Sequence, residues 1–263
     1  MSADPSMSVD QAVTEYVKHH TMENPHEWPL PFLAEPLPLP GWLSLHAVML
    51  VLCAVFLFLI FGVLYRKRDT VPRGITNLLE SFILFVRDQV AVPNLGETDG
   101  RKFTPLLCSL FFFILLLNLM GLIPLFSTAT ANISVTAGLA SITLLFMIGG
   151  GIVRNGPAGF VRAFMPSGVP WPVLIILFPI EVIGMFIKPF ALTIRLFANM
   201  MAGHVVLFSL IGLAVMFGMK GALPAVVMAT AIYMLEIFVA FLQAFIFTML
   251  SSMFIGSFLH PEH

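Results

Sequence analysis

Charged side chains stand inside stretches of this sequence that are otherwise apolar enough to lie in a membrane. Glu181, Lys188 and Arg195 follow one another at intervals of seven residues, so on a helix they share one slowly drifting face. Asn199 lies on the same side, four residues after the arginine. A charge at the centre of a bilayer costs at least about 2.5–3.5 kcal/mol. Such residues are therefore candidates for ion or proton transfer.

A second set of polar residues comes later in the chain. If the last two apolar runs form an antiparallel hairpin that turns near Lys220, residues at equal depth have numbers that sum to about 440. His204 then lies level with Glu236, and Arg195 lies level with Gln243. The sequence thus predicts a histidine–carboxylate pair toward one end of the hairpin and an arginine–glutamine level deeper inside.

The arginine has no acidic residue at its own depth. Arginine does not lose its proton in a protein, and a permanent cation in a low dielectric attracts a carboxylate. We therefore expect the partner of Arg195 on another chain. The titratable groups fall into an outer pair, His204 and Glu236, and an inner one, Glu181. Two water-accessible half-channels, separated by a fixed positive charge, would have this arrangement.

Two plainer roles stay open at this stage. Arg195 is also suited to join helices by hydrogen bonds, as a structural residue. His204 and Glu236 are also suited to form a buried pair whose only role is to satisfy each other.

The composition excludes several classes of function. Hydrophobic residues make up 59% and charged residues 10% of the chain, whereas a soluble domain is about 25% charged, so we predict an all-α membrane protein. A net charge of −1 and the lack of a basic patch argue against nucleic acid. The sequence has no ligand spacing typical of a metal site, no cofactor motif and no phosphate loop. It also lacks the HExxH and GxSxG motifs of hydrolases, so we expect no catalysis by this chain.

The elements that must position the polar groups are predicted from the apolar runs. Residues 1–43 are acidic and proline-rich and are predicted to form an extracytoplasmic segment, followed by one membrane domain over 44–263. Five spans are predicted at about 44–65, 103–125, 133–153, 171–219 and 221–259. An apolar i, i+3, i+4 pattern predicts an amphipathic interfacial helix at about 75–92. The last two runs are much longer than a crossing needs, so we expect strongly tilted helices in an antiparallel hairpin.

Three side-chain patterns predict how the helices pack. Asn118 in the second span and Asn199 in the fourth are each predicted to donate a hydrogen bond to another helix. Lys188 is predicted to extend its ammonium toward the membrane surface. The third span has small residues in small-xxx-small spacing, which predicts a helix-packing face made of Ser134, Ala137, Gly138 and Ser141.

The distribution of basic residues predicts the orientation. With five crossings, nine lysines and arginines fall on one side and two, Lys18 and Lys220, fall on the other. The positive-inside rule then places the N-terminus outside and the C-terminus in the cytoplasm. The N-terminal residues resemble neither a signal peptide nor a transit peptide, so we expect a bacterial inner membrane.

Two segments carry a resemblance to a known family. The sequences ALTIRLFANMMAGHVVL and LEIFVAFLQAFIFTMLSSMF resemble the signature of a subunits of F-type ATP synthases, and the likeness extends to PIEVIGMFIKPF and NLMGLIPLFS. In that family the arginine of the RLFAN segment faces the rotating ring of c subunits, draws the proton off a ring carboxylate and blocks a proton leak. The resemblance implies this role for Arg195, with Asn199 and Gln243 as neighbouring polar positions.

The same resemblance implies partners and a transported ion. Many bacterial members have an acid at the position of His204 and a histidine at the position of Glu236, so the pair is kept with its members exchanged. The resemblance implies a c-ring and a peripheral stalk subunit b as partners in a lipid bilayer, protons as the transported ion, and no nucleotide site on this chain. The alternative is an autonomous ion-coupled secondary transporter, but the two halves show no internal repeat.

Overall fold

The described part of the chain is almost entirely helical. The computed structural model describes residues 27–28, 37–38, 40, 44–64, 74–123, 126–165 and 170–259, with no side-chain description at 27–28, 37–38, 63–64, 208, 211 and 213–222. Most of the predicted extracytoplasmic segment, and the side chain at the predicted turn near Lys220, lie outside this description. Two short strands, β1 (Glu27–Trp28) and β2 (Leu37–Pro38), pair antiparallel within that segment.

Five helices follow the strand pair. They are α1 (Leu45–Leu59, extended by a π-helical turn over Ile60–Leu64), α2 (Ile75–Phe85, followed by a π-helical turn over Val86–Ala91), α3 (Val92–Leu122), α4 (Ile133–Arg162) and α5 (Trp171–Leu259). A short 3-10 helix over Ala129–Ala131 lies between α3 and α4. Five segments of the described residues are long and apolar enough to cross a membrane: Leu45–Gly62, Ile75–Leu122, Ile133–Arg162, Trp171–Leu207 and Leu223–Leu259. The predicted all-α membrane fold with about five crossings is confirmed.

Two glycines interrupt the long helices. Gly96 in α3 has φ 77° and Gly156 in α4 has φ 70°, a conformation that costs glycine little and other residues considerably more. The break at Gly96 separates the apolar part of α3 from the segment predicted to be amphipathic. In that segment Ile75 is 61% exposed, whereas Val86 and Val90 are fully buried. Its apolar side therefore packs on the protein near its C-terminal end.

Side-chain contacts show that α5 turns back on itself. Helical backbone extends over its 89 residues, yet the Glu236 carboxylate occupies the space into which a Cβ on Gly203 would point. In a straight helix those two residues would be roughly 50 Å apart. The residue numbers of the pair sum to 439, beside the predicted value. We call 171–207 the first arm and 223–259 the return arm of this antiparallel hairpin. Its tilt in a membrane stays a prediction.

The chain forms two compact units. Unit 1 comprises Met1–Ala54, Leu115–Val135 and Leu196–Leu242. Within it the Asn118 amide donates to the Ala240 carbonyl at 3.4 Å, and the Tyr233 hydroxyl donates to the Leu122 carbonyl at 3.1 Å. The end of α3 thus packs antiparallel on the return arm. The predicted donor role of Asn118 is confirmed.

Unit 2 comprises Val55–Ile114, Thr136–Arg195 and Gln243–His263. Here the end of the return arm is tied to other helices by polar contacts. Asn155 donates to the Phe258 carbonyl at 2.9 Å, and the Ser252 hydroxyl donates to the Val90 carbonyl at 3.0 Å. These bonds hold the C-terminal turns of α5 against α4 and the π-helical turn that precedes α3.

Three of the four residues of the packing face predicted for α4 do not pack within the described chain. Ser134, Gly138 and Ser141 are exposed, and a Cβ added to Gly138 would meet no atom within 4 Å. The buried side of α4 is a different one, formed by Thr136, Leu139, Ala140, Thr143, Met147 and Gly151. Small residues permit a close approach, but they do not determine that a helix of the same chain makes it.

Candidate functional site

Three oxygen atoms surround the ring of His204 in unit 1. Its Nδ1 lies 3.1 Å from the carbonyl oxygen of Met200, one turn earlier on the first arm. Its Nε2 lies 2.8 Å from the Thr128 hydroxyl and 3.2 Å from the Gly121 carbonyl oxygen. The Thr128 hydroxyl also donates to the Gly121 carbonyl at 3.3 Å. Both ring nitrogens therefore have hydrogen-bonding neighbours.

The local sequence explains why these groups approach so closely. A Cβ on Gly121 would lie 2.7 Å from Met200 Cε and 3.0 Å from Thr128 Cγ2, both shorter than ordinary van der Waals contacts. The absence of a side chain at the end of α3 leaves space for both neighbours. Thr128 is buried and comes just before the 3-10 helix over Ala129–Ala131. Sequence reasoning missed it, although the uncharged link at 126–132 between two spans was the available signal.

Glu236 lies on the return arm at the level of His204. Its carboxylate stands against Gly203, the residue next to the histidine, and an added Cβ there would lie 2.9 Å from Glu236 Cδ. The structure thus places both predicted titratable residues at one level of the hairpin. Glu236 Oε2 is buried, and no residue of the described chain makes a hydrogen bond to it.

Two further buried polar atoms in unit 1 lack a hydrogen-bond partner within the described residues. They are Asn118 Oδ1 and Thr130 Oγ1. Asn118 bonds Ala240 through its other amide atom, one helical turn from Glu236. Buried polar atoms without a protein partner are commonly hydrated. Each of these atoms, like Glu236 Oε2, is therefore suited to bind an ordered water.

Arg195 is exposed on the first arm in unit 2. Thr193, on the opposite side of the helix, is buried at 6% exposure, and Leu192, three residues before the arginine, is buried at 1%. Three exposed residues along the arginine's side of the helix have minimal side chains: Ala191, Ala198 and Ala202. Three ion pairs occur within the ranges that the structure describes, namely Arg87–Asp88, Lys102–Asp99 and Arg154–Asp99. Arg195 belongs to none of them.

The other predicted site residues differ in their burial. Gln243 is buried at 4% exposure on the return arm, and Asn199 and Glu181 are half-buried on the first arm. Lys188 has its ammonium 5.6 Å and 5.5 Å from the ring centroids of Phe254 and Phe258, close enough for cation–π attraction. That partnership was not predicted. No group of three or more His, Cys, Asp or Glu side chains in the described ranges is arranged to hold a metal ion.

Comparison with known proteins gives a consistent result. The family model described as ATP synthase A chain matches residues 46–256. A protein from Anaeromyxobacter sp. (strain Fw109-5), named ATP synthase subunit a, is 50% identical over 216 residues, which are 81% of this chain and 53% of that protein. Proteins of the same name from Myxococcus xanthus and Chlorobium phaeobacteroides are 44% and 42% identical, over 80% and 92% of this chain and 71% and 75% of their own lengths.

The matches differ in how much of each relative's length this chain covers. The chain spans about half the length of the Anaeromyxobacter relatives that it matches. It spans three quarters of the Chlorobium phaeobacteroides relative, and the family model covers most of the chain. The chain therefore belongs to the ATP synthase A chain family, the a subunits of F-type ATP synthases.

Proposed function

We propose that this chain is the proton-conducting stator subunit of the membrane sector of a rotary ATP synthase. The observation that carries the proposal is the exposed Arg195, which has minimal alanine neighbours and no ion pair in the described ranges. It stands in a helix apolar enough to cross a membrane. The name ATP synthase subunit a, shared by the relatives, supports the same assignment.

In this proposal the two titratable groups of unit 1 form the outer half-channel. Protons enter at His204 and Glu236, with Asn199 as a further polar group, and neutralise a carboxylate on a c-ring. After the ring turns, the proton leaves through an inner half-channel at Glu181. The membrane potential contributes about 2.3 kcal/mol per charge for each 100 mV.

Arg195 has two functions in this scheme. Its guanidinium stays charged, so it favours the ionised form of a ring carboxylate that comes near and drives the release of the proton. The same fixed positive charge repels a proton that would pass directly between the half-channels. Gln243 is proposed as a neutral polar neighbour of the arginine on the ring-facing side.

The assembly and location belong to the proposal as well. The partners are a c-ring and a peripheral stalk subunit b, and the chain carries no cofactor and no nucleotide site. The membrane is the bacterial inner membrane, with the N-terminus outside and the C-terminus in the cytoplasm. Nine basic residues on the predicted cytoplasmic side, against two on the other, support this orientation.

The decisive variant is Arg195→Ala in the assembled complex, reconstituted in lipid vesicles. An ion pair at 4 Å contributes roughly 4 kcal/mol at an effective dielectric of 20, which corresponds to about three orders of magnitude in rate. ATP-driven acidification, followed with a pH-sensitive dye, is expected to fall to background while passive proton leak rises. Arg162→Ala, which removes an exposed arginine from the last turn of α4, is the matched control. Coupled pumping retained by Arg195→Ala would disprove the proposal.

A further inference from the structure

The Thr128 hydroxyl lies between a ring nitrogen of His204, which either donates or accepts a hydrogen bond, and a carbonyl oxygen, which only accepts one. It is 2.8 Å from His204 Nε2 and 3.3 Å from the Gly121 carbonyl oxygen. We propose that Thr128 is the positioning residue that lets His204 gain and lose a proton at Nε2, by reversing the direction of one hydrogen bond. This inference deepens the proposed proton-conducting function and rests on it.

The neighbours of the ring fix which nitrogen exchanges its proton. Nδ1 faces only the carbonyl oxygen of Met200, an acceptor, whereas Nε2 also faces the Thr128 hydroxyl, which is able to donate, so the neutral ring satisfies both nitrogens when its hydrogen is on Nδ1. In the neutral ring Nε2 is then an acceptor and needs a donor. Of the two oxygens that face Nε2, those of Thr128 and Gly121, the hydroxyl is able to donate and the carbonyl is not.

The charged ring reverses the requirement. A proton taken from channel water forms the Nε2–H bond, and this group donates to the Thr128 oxygen. Thr128 keeps its own hydrogen and turns it toward the Gly121 carbonyl, which lies within hydrogen-bonding distance. When the proton leaves Nε2 for water, the hydroxyl turns back. One rotation about the Cβ–Oγ1 bond therefore satisfies both forms of the histidine.

The Thr128 hydroxyl is buried, so a water molecule has little access to take over its hydrogen bonds. Thr128 is 7% exposed, and Gly121, having no side chain, leaves space for its methyl group. Two other titratable groups are close to this pair of residues. Glu236 comes from the return arm at the level of His204, and His46 of α1 has its Nδ1 3.4 Å from the hydroxyl of Ser127. Both side chains stay in place in every variant of the test below.

The test compares variants of Thr128 in the assembled complex. Thr128→Val keeps the shape and removes the hydroxyl, Thr128→Ser keeps the hydroxyl, and Thr128→Ala serves if the valine variant does not assemble. Thr248→Val is the matched control, because this buried threonine bonds the Ala244 carbonyl within its own helix at 2.8 Å. The measurements are ATP-driven acidification of vesicles as a function of pH and the ¹⁵N NMR signals of the His204 ring, assigned with His204→Gln.

The expected pattern separates a hydrogen-bonding role from a packing role. Thr128→Val should lower pumping severalfold, up to about tenfold, at neutral pH, the effect of one lost hydrogen bond to the neutral ring. It should increase the doubly protonated fraction of His204 and move pumping to higher pH, because the neutral ring has lost this donor. Thr128→Ser and Thr248→Val should behave like the parent protein. A valine variant with the parent's NMR signals, or a serine variant as impaired as the valine variant, would overturn the inference.

The two proposals fail in distinguishable ways. If Arg195→Ala pumps normally while Thr128→Val still changes the His204 signals, the proposed function is wrong and the coupling of Thr128 to His204 stands. If Arg195→Ala abolishes pumping while Thr128→Val leaves the signals and the pH profile unchanged, the function stands and the inference about Thr128 is wrong.

Discussion

Replacing Gly203 with alanine would displace the Glu236 carboxylate without removing any titratable group. The new Cβ would lie 2.9 Å from Glu236 Cδ and 3.3 Å from Cγ, where ordinary contacts are 3.4–4 Å. The atoms in the way belong to the end of a flexible side chain, so the glutamate moves and the backbone need not. The variant therefore tests whether proton conduction requires this carboxylate at this position.

The magnitudes favour a folded protein with impaired conduction. Alanine gains about 0.5–1 kcal/mol over glycine in a helix interior, whereas overpacking costs about 1–3 kcal/mol. The net change in the free energy of unfolding is then at most about 2.5 kcal/mol. A displacement of about 1 Å in a group that must be precisely positioned costs roughly a hundredfold in rate. We expect pumping to fall far more than thermal stability.

The assay is ATP-driven acidification of vesicles, measured together with the melting temperature of the complex. Gly149→Ala is the control, because a Cβ at that exposed position of α4 would meet no atom within 4 Å. Adding Glu236→Asp to Gly203→Ala shortens the acid by one methylene and should recover part of the lost rate. Parent-like pumping by Gly203→Ala would refute the reasoning, and so would a double variant no better than Gly203→Ala.

Two further predictions concern stability. Asp99→Asn removes a buried carboxylate, 4% exposed, that lies 2.8 Å from Arg154 and 3.3 Å from Lys102. Because both cations are largely exposed, we expect the free energy of unfolding to fall by only about 1–2 kcal/mol, which would lower the melting temperature. The control Asp88→Asn, which removes an exposed ion pair, should leave the melting temperature unchanged. Gly156→Ala places a side chain at φ 70° and ψ 169°, a region essentially restricted to glycine, and should cost about 1–3 kcal/mol. An unchanged melting temperature, with Gly149→Ala as control, would contradict the second prediction.

The sequence was enough to predict which residues of the hairpin lie at the same depth, because the rise per helical residue is constant. Every helical residue advances the chain by the same 1.5 Å, so a turn position and an antiparallel direction determine which residues are level. Gly203 and Glu236, whose numbers sum to 439, meet within two residues of that expectation. The class of the fold was predictable for a similar reason, since the length and apolar character of the runs leave helices as the structure able to cross.

Contacts between segments far apart in sequence were not predictable. Thr128 meets His204 because the link after α3 folds over a glycine, and no local pattern encodes that approach. The rings of Phe254 and Phe258 beside Lys188 depend equally on the packing of the return arm. The exposed Ser134 face of α4 shows the converse, because a local pattern suited to packing has no partner within the described chain.

Charged side chains in the described residues have two kinds of surroundings. Asp88 and Asp99 are paired with cations of the same chain. On α5 the ammonium of Lys188 lies over aromatic rings, the carboxylate of Glu236 occupies the space left by Gly203, and Arg195 is exposed. An exposed side chain on a crossing helix faces lipid, water or a neighbouring subunit, and against lipid an uncompensated guanidinium costs several kcal/mol. That cost persists in the isolated chain and is removed by an acid brought from outside, which is why we place the counter-charge of Arg195 on a neighbouring subunit.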